Sequence, residues 1–97
     1  EGVIGVVDDV DRFGNLVSNI PRAAVDALVG DGPIDIALDG HAVPRLVATY
    51  AETGAGEVCA LFGSTGRLEI AVNGGSAAAH FGRGAGTSVT VRRRGQS

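Results

Sequence analysis

The sequence contains no lysine, because all eight of its basic residues are arginine. A P-loop lysine, a Schiff-base lysine and a Ser-Lys pair are thereby excluded together. Cysteine is reduced to Cys59, so no intrachain disulfide can form, and its setting in Val58-Cys59-Ala60-Leu61-Phe62 reads as a small buried hydrophobe in a reducing compartment. No apolar run approaches the ~20 residues that span a bilayer, and no apolar h-region follows a basic n-region. The reading is a soluble, cytoplasmic chain without a membrane partner. A net charge of −3 and a pI near 5.1 also leave it without the basic face that nucleic acid requires. Arg92-Arg93-Arg94 is the single basic run, and it reads as a solvated tail at the end of the last strand. Aromatics are few as well: Phe13, Tyr50, Phe62 and Phe81. A barrel for single-stranded nucleic acid would need more of them, and more positive charge.

What is present describes one small domain. The 97 residues suffice for a single core but not for a core plus a separate catalytic lobe. A hydrophobic share of 44% excludes a disordered chain, and 16 glycines among many valines and isoleucines favour short strands joined by tight turns. The first residue is Glu1 rather than Met, which reads as a hint of a fragment of something longer.

Residues 2–7 have the β-branched character of a strand, which Asp8-Asp9 is expected to break. Residues 16–20 form the second strand. Pro21 then opens a short helix whose stripe is Ile20, Ala24, Val25, Leu28 and Val29, ended by Gly30. Ile34-Asp35-Ile36-Ala37-Leu38-Asp39 alternates at period two and turns at Asp39-Gly40, with residues 43–50 returning as its partner from an edge or bulge at Pro44. Residues 57–62 and 67–72 read as a further β-turn-β unit across Gly63-Ser64-Thr65-Gly66. Asn73 or Ser76 can cap a short helix over residues 77–81, and residues 87–92 form the last strand. With no βαβ rhythm, these elements predict a mostly β fold, a small antiparallel β-barrel or sandwich with two short helical segments. Gly82-Arg83-Gly84-Ala85-Gly86 precedes a strand rather than a helix, so it lacks the amide cradle of a dinucleotide loop.

Directional polar chemistry concentrates in Asp11-Arg12-Phe13-Gly14-Asn15, a turn-prone stretch between two strands. It offers a carboxylate, a guanidinium, a ring and a carboxamide from one bend, a set able to hold a small ligand with a ring and a charged end. Asp8, Asp9 and Asp11 invite a metal, but no EF-hand pattern, His or Cys accompanies them, and solvated loop acids are the preferred reading. His41 and His80 are lone histidines suited to surface or helix-end roles, and Glu69 reads as a cross-strand partner in its strand.

Val10-Asp11-Arg12-Phe13-Gly14-Asn15-Leu16-Val17-Ser18-Asn19-Ile20, taken with the stretch from Gly63 to Ala78, resembles the C-terminal domain of the S-adenosylmethionine hydrolase (SAM hydroxide adenosyltransferase) family, in the superfamily of the fluorinases and chlorinases. The likeness is collinear from about Gly2 to Arg92. It implies a small β-barrel for the whole of residues 1–97, with the family's catalytic N-terminal domain absent from the chain. It also implies S-adenosylmethionine as substrate, no cofactor, no metal, and no catalytic residue here.

By this resemblance Phe13 and Asn15 contact adenine through ring packing and amide hydrogen bonds, and Asp11 receives the ammonium. Ser64 stands near the methionine carboxylate, Gly74 meets the adenine edge through its backbone, and Tyr50 lines the same pocket. Val17 and Thr65 stand where the fluorinase branch has a tryptophan and an arginine, which favours the hydrolase branch. The resemblance further implies a homotrimer, each site shared with the N-terminal domain of a neighbouring subunit. Local sequence alone leaves other roles open: Phe13 as a core plug, Asp11 and Ser64 as turn formers, Tyr50 as a half-buried edge residue. A free-standing nucleoside-binding or oligomerisation module is the alternative function.

Overall fold

The computed structural model describes residues 2–30 and 32–94. Among these described residues there are seven strands, β1 (Gly2–Val10), β2 (Leu16–Pro21), β3 (Ile34–Leu38), β4 (His41–Val43), β5 (Val58–Phe62), β6 (Arg67–Val72) and β7 (Ser88–Arg93), with two short helices, α1 (Arg22–Val29) and α2 (Ala77–Phe81). The strands pair antiparallel in the order β4-β3-β7-β1-β2-β6-β5. The sheet curls into a nearly closed barrel, as expected from the sequence. Beside edge strand β5, Val47 N donates to Ala60 O at 2.9 Å and Ala60 N to Arg45 O at 2.7 Å, so the segment after β4 occupies the edge that β4 does not reach.

The alternation of each strand sends one set of side chains inward. Val7, Leu16, Ile20, Leu38, Leu68, Ile70, Val89 and Val91 are sealed in the barrel, with Val25 and Leu28 of α1 and Ala77 of α2 packed against the same core. Of the apolar stripe predicted for α1, Val25 and Leu28 are buried while Val29 is exposed. Asp39 and Gly40 both have positive φ, the conformation a two-residue turn between right-twisted strands requires. Ser76 caps α2 by accepting from Ala79 N at 3.1 Å.

Two expectations are corrected. Asp8-Asp9 does not end the first strand, which continues to Val10 through a register shift between Val7 and Asp9. The irregularity is absorbed by a side chain: Asn19 Oδ1 accepts from Val6 N at 2.9 Å, and the displaced Asp8 pairs with Arg67 at 3.1 Å. Residues 43–50 do not form one long strand either. Pairing with β3 stops at Val43, before Pro44, which has no N–H to donate. The chain instead crosses outside the barrel and makes a 3-10 turn over Tyr50–Glu52, held by Glu52 Oε2 accepting from Ala48 N at 2.7 Å and Thr49 N at 3.0 Å.

That crossing segment creates a second, smaller core. Val47 packs with Cys59, Leu61 and Ala71 on the outer face of β5 and β6. Strand β6 is therefore buried on both faces after Arg67, and Cys59 is fully covered, as expected of a small hydrophobe. Burial also raises the Cys59 thiol pKa, with Glu57 adding to the rise and Arg45 opposing it.

Candidate functional site

The turn between β1 and β2 is built around one carboxylate. Asp11 Oδ1 accepts from Phe13 N and from Asn15 N, both at 2.9 Å, while Asp11 O accepts from Gly14 N at 2.9 Å. Asp11 N returns a bond to Asn15 O at 3.1 Å. Gly14 has φ 84°, and a Cβ there would collide with Ser76, the cap of α2; Gly14 O accepts from Ala78 N at 2.9 Å. Backbone shape and close approach both demand glycine at this point.

Held this way, the turn sends its two neighbouring side chains to opposite fates. Phe13 is 64% exposed, with the Arg12 guanidinium 5.0 Å from its ring centroid, so it is not a core plug. Asn15 is buried, at 7% exposure, and its Nδ2 donates to the hydroxyl of Tyr50 at 3.0 Å. Tyr50 reaches this position because Asn73, at the end of β6, ties the 3-10 turn down through Nδ2 to Thr53 O at 3.2 Å and Thr53 Oγ1 at 3.0 Å. The turn after β6 closes with Gly75 N donating to Val72 O at 3.0 Å, and Gly74 takes φ 77°.

Between these pieces lies a cleft of about 450 Å³, lined by Phe13, Asn15, Tyr50, Val72 and residues 73–75. That volume lies within the ~300–1,000 Å³ typical of small-molecule sites. Of the six residues singled out from the sequence, Phe13, Asn15, Tyr50 and Gly74 meet in its wall. Asp11 does not line it: one carboxylate oxygen organises the turn from behind. Ser64 does not line it either, and lies exposed on the β5–β6 turn.

The sequence reading missed Glu69 as part of this neighbourhood. Its cross-strand neighbours are Val17 and Leu61, not charged groups, and it is only 8% exposed. Its carboxylate fills the space in front of Gly63, so that a Cβ there would require the carboxylate to move. Burial raises its pKa, the nearby Asp11 charge raises it further, and the Asn15 side chain pulls the other way. A glutamate between leucine and isoleucine in a strand ordinarily signals the solvent face. Here its neighbours come from β2, β5 and the β5–β6 turn, which local periodicity does not register.

A second cleft, of about 430 Å³, includes His41, Arg45, Glu57, His80 and Phe81 in its wall. Both histidines are exposed, His80 in the last turn of α2, with ring centroids 6.3 Å (His41) and 4.9 Å (His80) from Phe81. Among the described residues no three His, Cys, Asp or Glu side chains converge as metal ligands, and no helix is long and apolar enough to cross a membrane.

The family model for the SAM hydroxide adenosyltransferase C-terminal domain matches residues 5–90. The chain belongs to this family. It is 39% identical over 91 residues to an (R)-S-adenosyl-L-methionine hydrolase of Thermus thermophilus, a match covering 94% of the chain and 32% of that protein. Among solved structures it resembles an uncharacterized conserved protein from Thermotoga maritima, with TM-score 0.78 and 27% identity over 91% of the chain and 35% of that protein. It likewise resembles a conserved hypothetical protein from Thermus thermophilus, with TM-score 0.74 and 34% identity over 94% of the chain and 35% of that protein. The chain thus spans about a third of the length of the relatives it matches.

Proposed function

We propose that this domain is the substrate-holding part of an S-adenosylmethionine hydrolase that yields adenosine and methionine. The observation that carries the reading is the convergence of Phe13, Asn15, Tyr50 and Gly74, distant in sequence, on one cleft of suitable size. Phe13 offers its ring face to adenine, Asn15 a carboxamide to the base edge, Tyr50 a second aromatic wall, and Gly74 an approach to backbone without side-chain obstruction. Asp11 acts at the methionine end. Its Oδ1 is engaged by the turn, and Oδ2 is the atom available to the ammonium. Ser64, on the β5–β6 turn, stands for the carboxylate of the methionine tail.

The overall reaction adds water across the bond from C5′ to sulfur: the water oxygen bonds to C5′, the sulfur leaves as neutral methionine, and one proton is released. The cleft wall is aromatic, amide and backbone, suited to binding and orientation rather than to proton removal. The water-activating groups in this reading come from an N-terminal domain of the same family, supplied by a neighbouring subunit of a homotrimer.

Calorimetric titration with adenosine and with S-adenosylmethionine tests the binding assignment. Saturable binding of both, weakened at least tenfold by Asn15→Ala in a chain that keeps its fold, supports it. Binding untouched by Asn15→Ala would remove the cleft from the reading. Incubation of the 97-residue chain with S-adenosylmethionine is expected to release no adenosine, and turnover that scales with chain concentration would place catalytic groups within it.

A further inference from the structure

Tyr50 is a wall of the cleft, yet no residue of the 3-10 turn that carries it is buried. Among the described residues, the hydrogen bonds that tie residues 50–53 to the barrel come from two side chains. Asn15 holds the hydroxyl end of the Tyr50 ring, and Asn73 holds the backbone end. The other bonds of residues 50–53 stay within residues 45–53. Thr53 O is a carbonyl and can only accept, so the Asn73 carboxamide must present its Nδ2 end there, at 3.2 Å. The same Nδ2 donates to Thr53 Oγ1 at 3.0 Å, and that hydroxyl spends its own hydrogen on Tyr50 O at 2.9 Å. Thr53 thus relays the hold of Asn73 to the carbonyl of Tyr50 itself. Asn73 is in turn fixed by its backbone, whose N donates to Glu57 O at 3.0 Å and whose O accepts from Gly56 N at 2.8 Å. Those two bonds do not depend on its side chain.

We infer that Asn73 and Thr53 are positioning residues that act through Tyr50, holding its ring as a fixed wall so that the base of a nucleoside meets a surface already in place. This rests on the nucleoside reading of the cleft. A side chain that has to be ordered at the moment of binding subtracts from affinity, and one ordered beforehand does not. For one ring the difference amounts to roughly threefold to tenfold in the dissociation constant. Thr53 is the more telling of the two residues. Asn73 lines the cleft and can touch a ligand directly, whereas Thr53 does not line it and can reach the ligand only through the placement of Tyr50.

The sequence supplies its own probe, because Tyr50 is the only tyrosine and there is no tryptophan. Time-resolved anisotropy of tyrosine fluorescence therefore reads the motion of this one ring, with or without a ligand. The experiment compares the wild type with Thr53→Val, Thr53→Ser and Asn73→Ala, and follows each by calorimetric titration with adenosine. Thr53→Val keeps the shape of the side chain but removes the relay, and Thr53→Ser restores the hydroxyl. Asn73→Ala removes both Nδ2 contacts and leaves the backbone bonds of residue 73 intact. Fast depolarisation should be small in the wild type and in Thr53→Ser, larger in Thr53→Val and largest in Asn73→Ala. Adenosine affinity should follow the same order, with Thr53→Val weaker by roughly threefold to tenfold and Thr53→Ser close to the wild type. A ring as still in Asn73→Ala as in the wild type would overturn the inference. So would a ring freed in Thr53→Val with adenosine affinity unchanged. A wild type that binds no adenosine would overturn the nucleoside reading and the effect on affinity together, and the anisotropy would still separate a held ring from a free one.

Discussion

The carboxamide of Asn15 meets the hydroxyl of Tyr50 at 3.0 Å across 35 positions of sequence. This bond joins the β1–β2 turn to the segment that crosses outside the barrel, and the cleft lies between the two. Removing it should therefore affect the site more than the fold. Tyr50→Phe keeps the ring and deletes the hydroxyl, leaving one Nδ2 hydrogen of a buried amide without its partner. We expect a loss of about 1 kcal/mol in stability, the ordinary net worth of such a bond, with a several-fold weaker adenosine affinity. Urea unfolding and calorimetry measure the two, and unchanged affinity would show that the bond does not shape the cleft.

Asp11 combines a turn function with a proposed ligand function, and the two are separable by substitution. Asp11→Asn retains an oxygen able to accept from Phe13 N and Asn15 N but removes the charge. It should leave adenosine binding nearly unchanged and weaken S-adenosylmethionine. Asp11→Ala removes both, leaving two backbone donors to find water, and should cost about 1–2 kcal/mol of stability and weaken both ligands. Equal loss of both ligands in Asp11→Asn would leave Asp11 as a turn acid alone.

How far the sequence discloses this arrangement depends on the range of the forces involved. Period-two alternation and turn chemistry are local, so residues 34–38, 58–62 and 67–72 could be read as strands, and Asp39-Gly40 and Ser76 as turn and cap, without knowledge of the rest. The extension of β1 past Asp8 depends on Asn19 from the next strand, and the path of residues 44–53 on an apolar face of β5 and β6 waiting to be covered. Those are tertiary facts. Glu69, which pattern alone reads as a cross-strand partner, is buried between Val17 and Leu61 and against Gly63, an environment assembled from three other parts of the chain. Phe13 and Asn15, which line the cleft, stood out in the sequence because aromatic and polar groups concentrate in a turn-forming stretch, whereas Tyr50 and Gly74 were singled out through resemblance to a family.

Gly14→Ala should be among the most damaging small changes in the chain. It places a side chain on a residue at φ 84° and drives a Cβ into Ser76, so the turn and the cap of α2 cannot both keep their positions. Backbone strain of this kind costs roughly 1–3 kcal/mol before the collision is counted. Thermal unfolding should show a clear drop, and loss of the Ala79 cap, visible as faster amide exchange at Ala79, should accompany it. A variant as stable as the wild type would mean that α2 moves freely against the turn.

Glu69 should also leave its mark on stability as a function of pH. Its pKa is raised in the folded protein by burial first and by Asp11 second, so in the unfolded chain it gives up its proton at a lower pH. Between the two values the folded state holds more protons than the unfolded state, and stability from this group falls as pH rises. The loss begins in the ordinary carboxylate range, is complete above the raised folded value, and persists to neutral pH. Glu69→Gln has no proton to lose there. The stability of the variant relative to wild type should therefore increase with pH across this window and level off above it. Denaturant midpoints taken at half-unit intervals of pH resolve the difference. A relative stability that instead falls with rising pH would mean that the carboxylate is better stabilised in the folded protein than in water, and that the charge of Asp11 is neutralised by a group outside this neighbourhood.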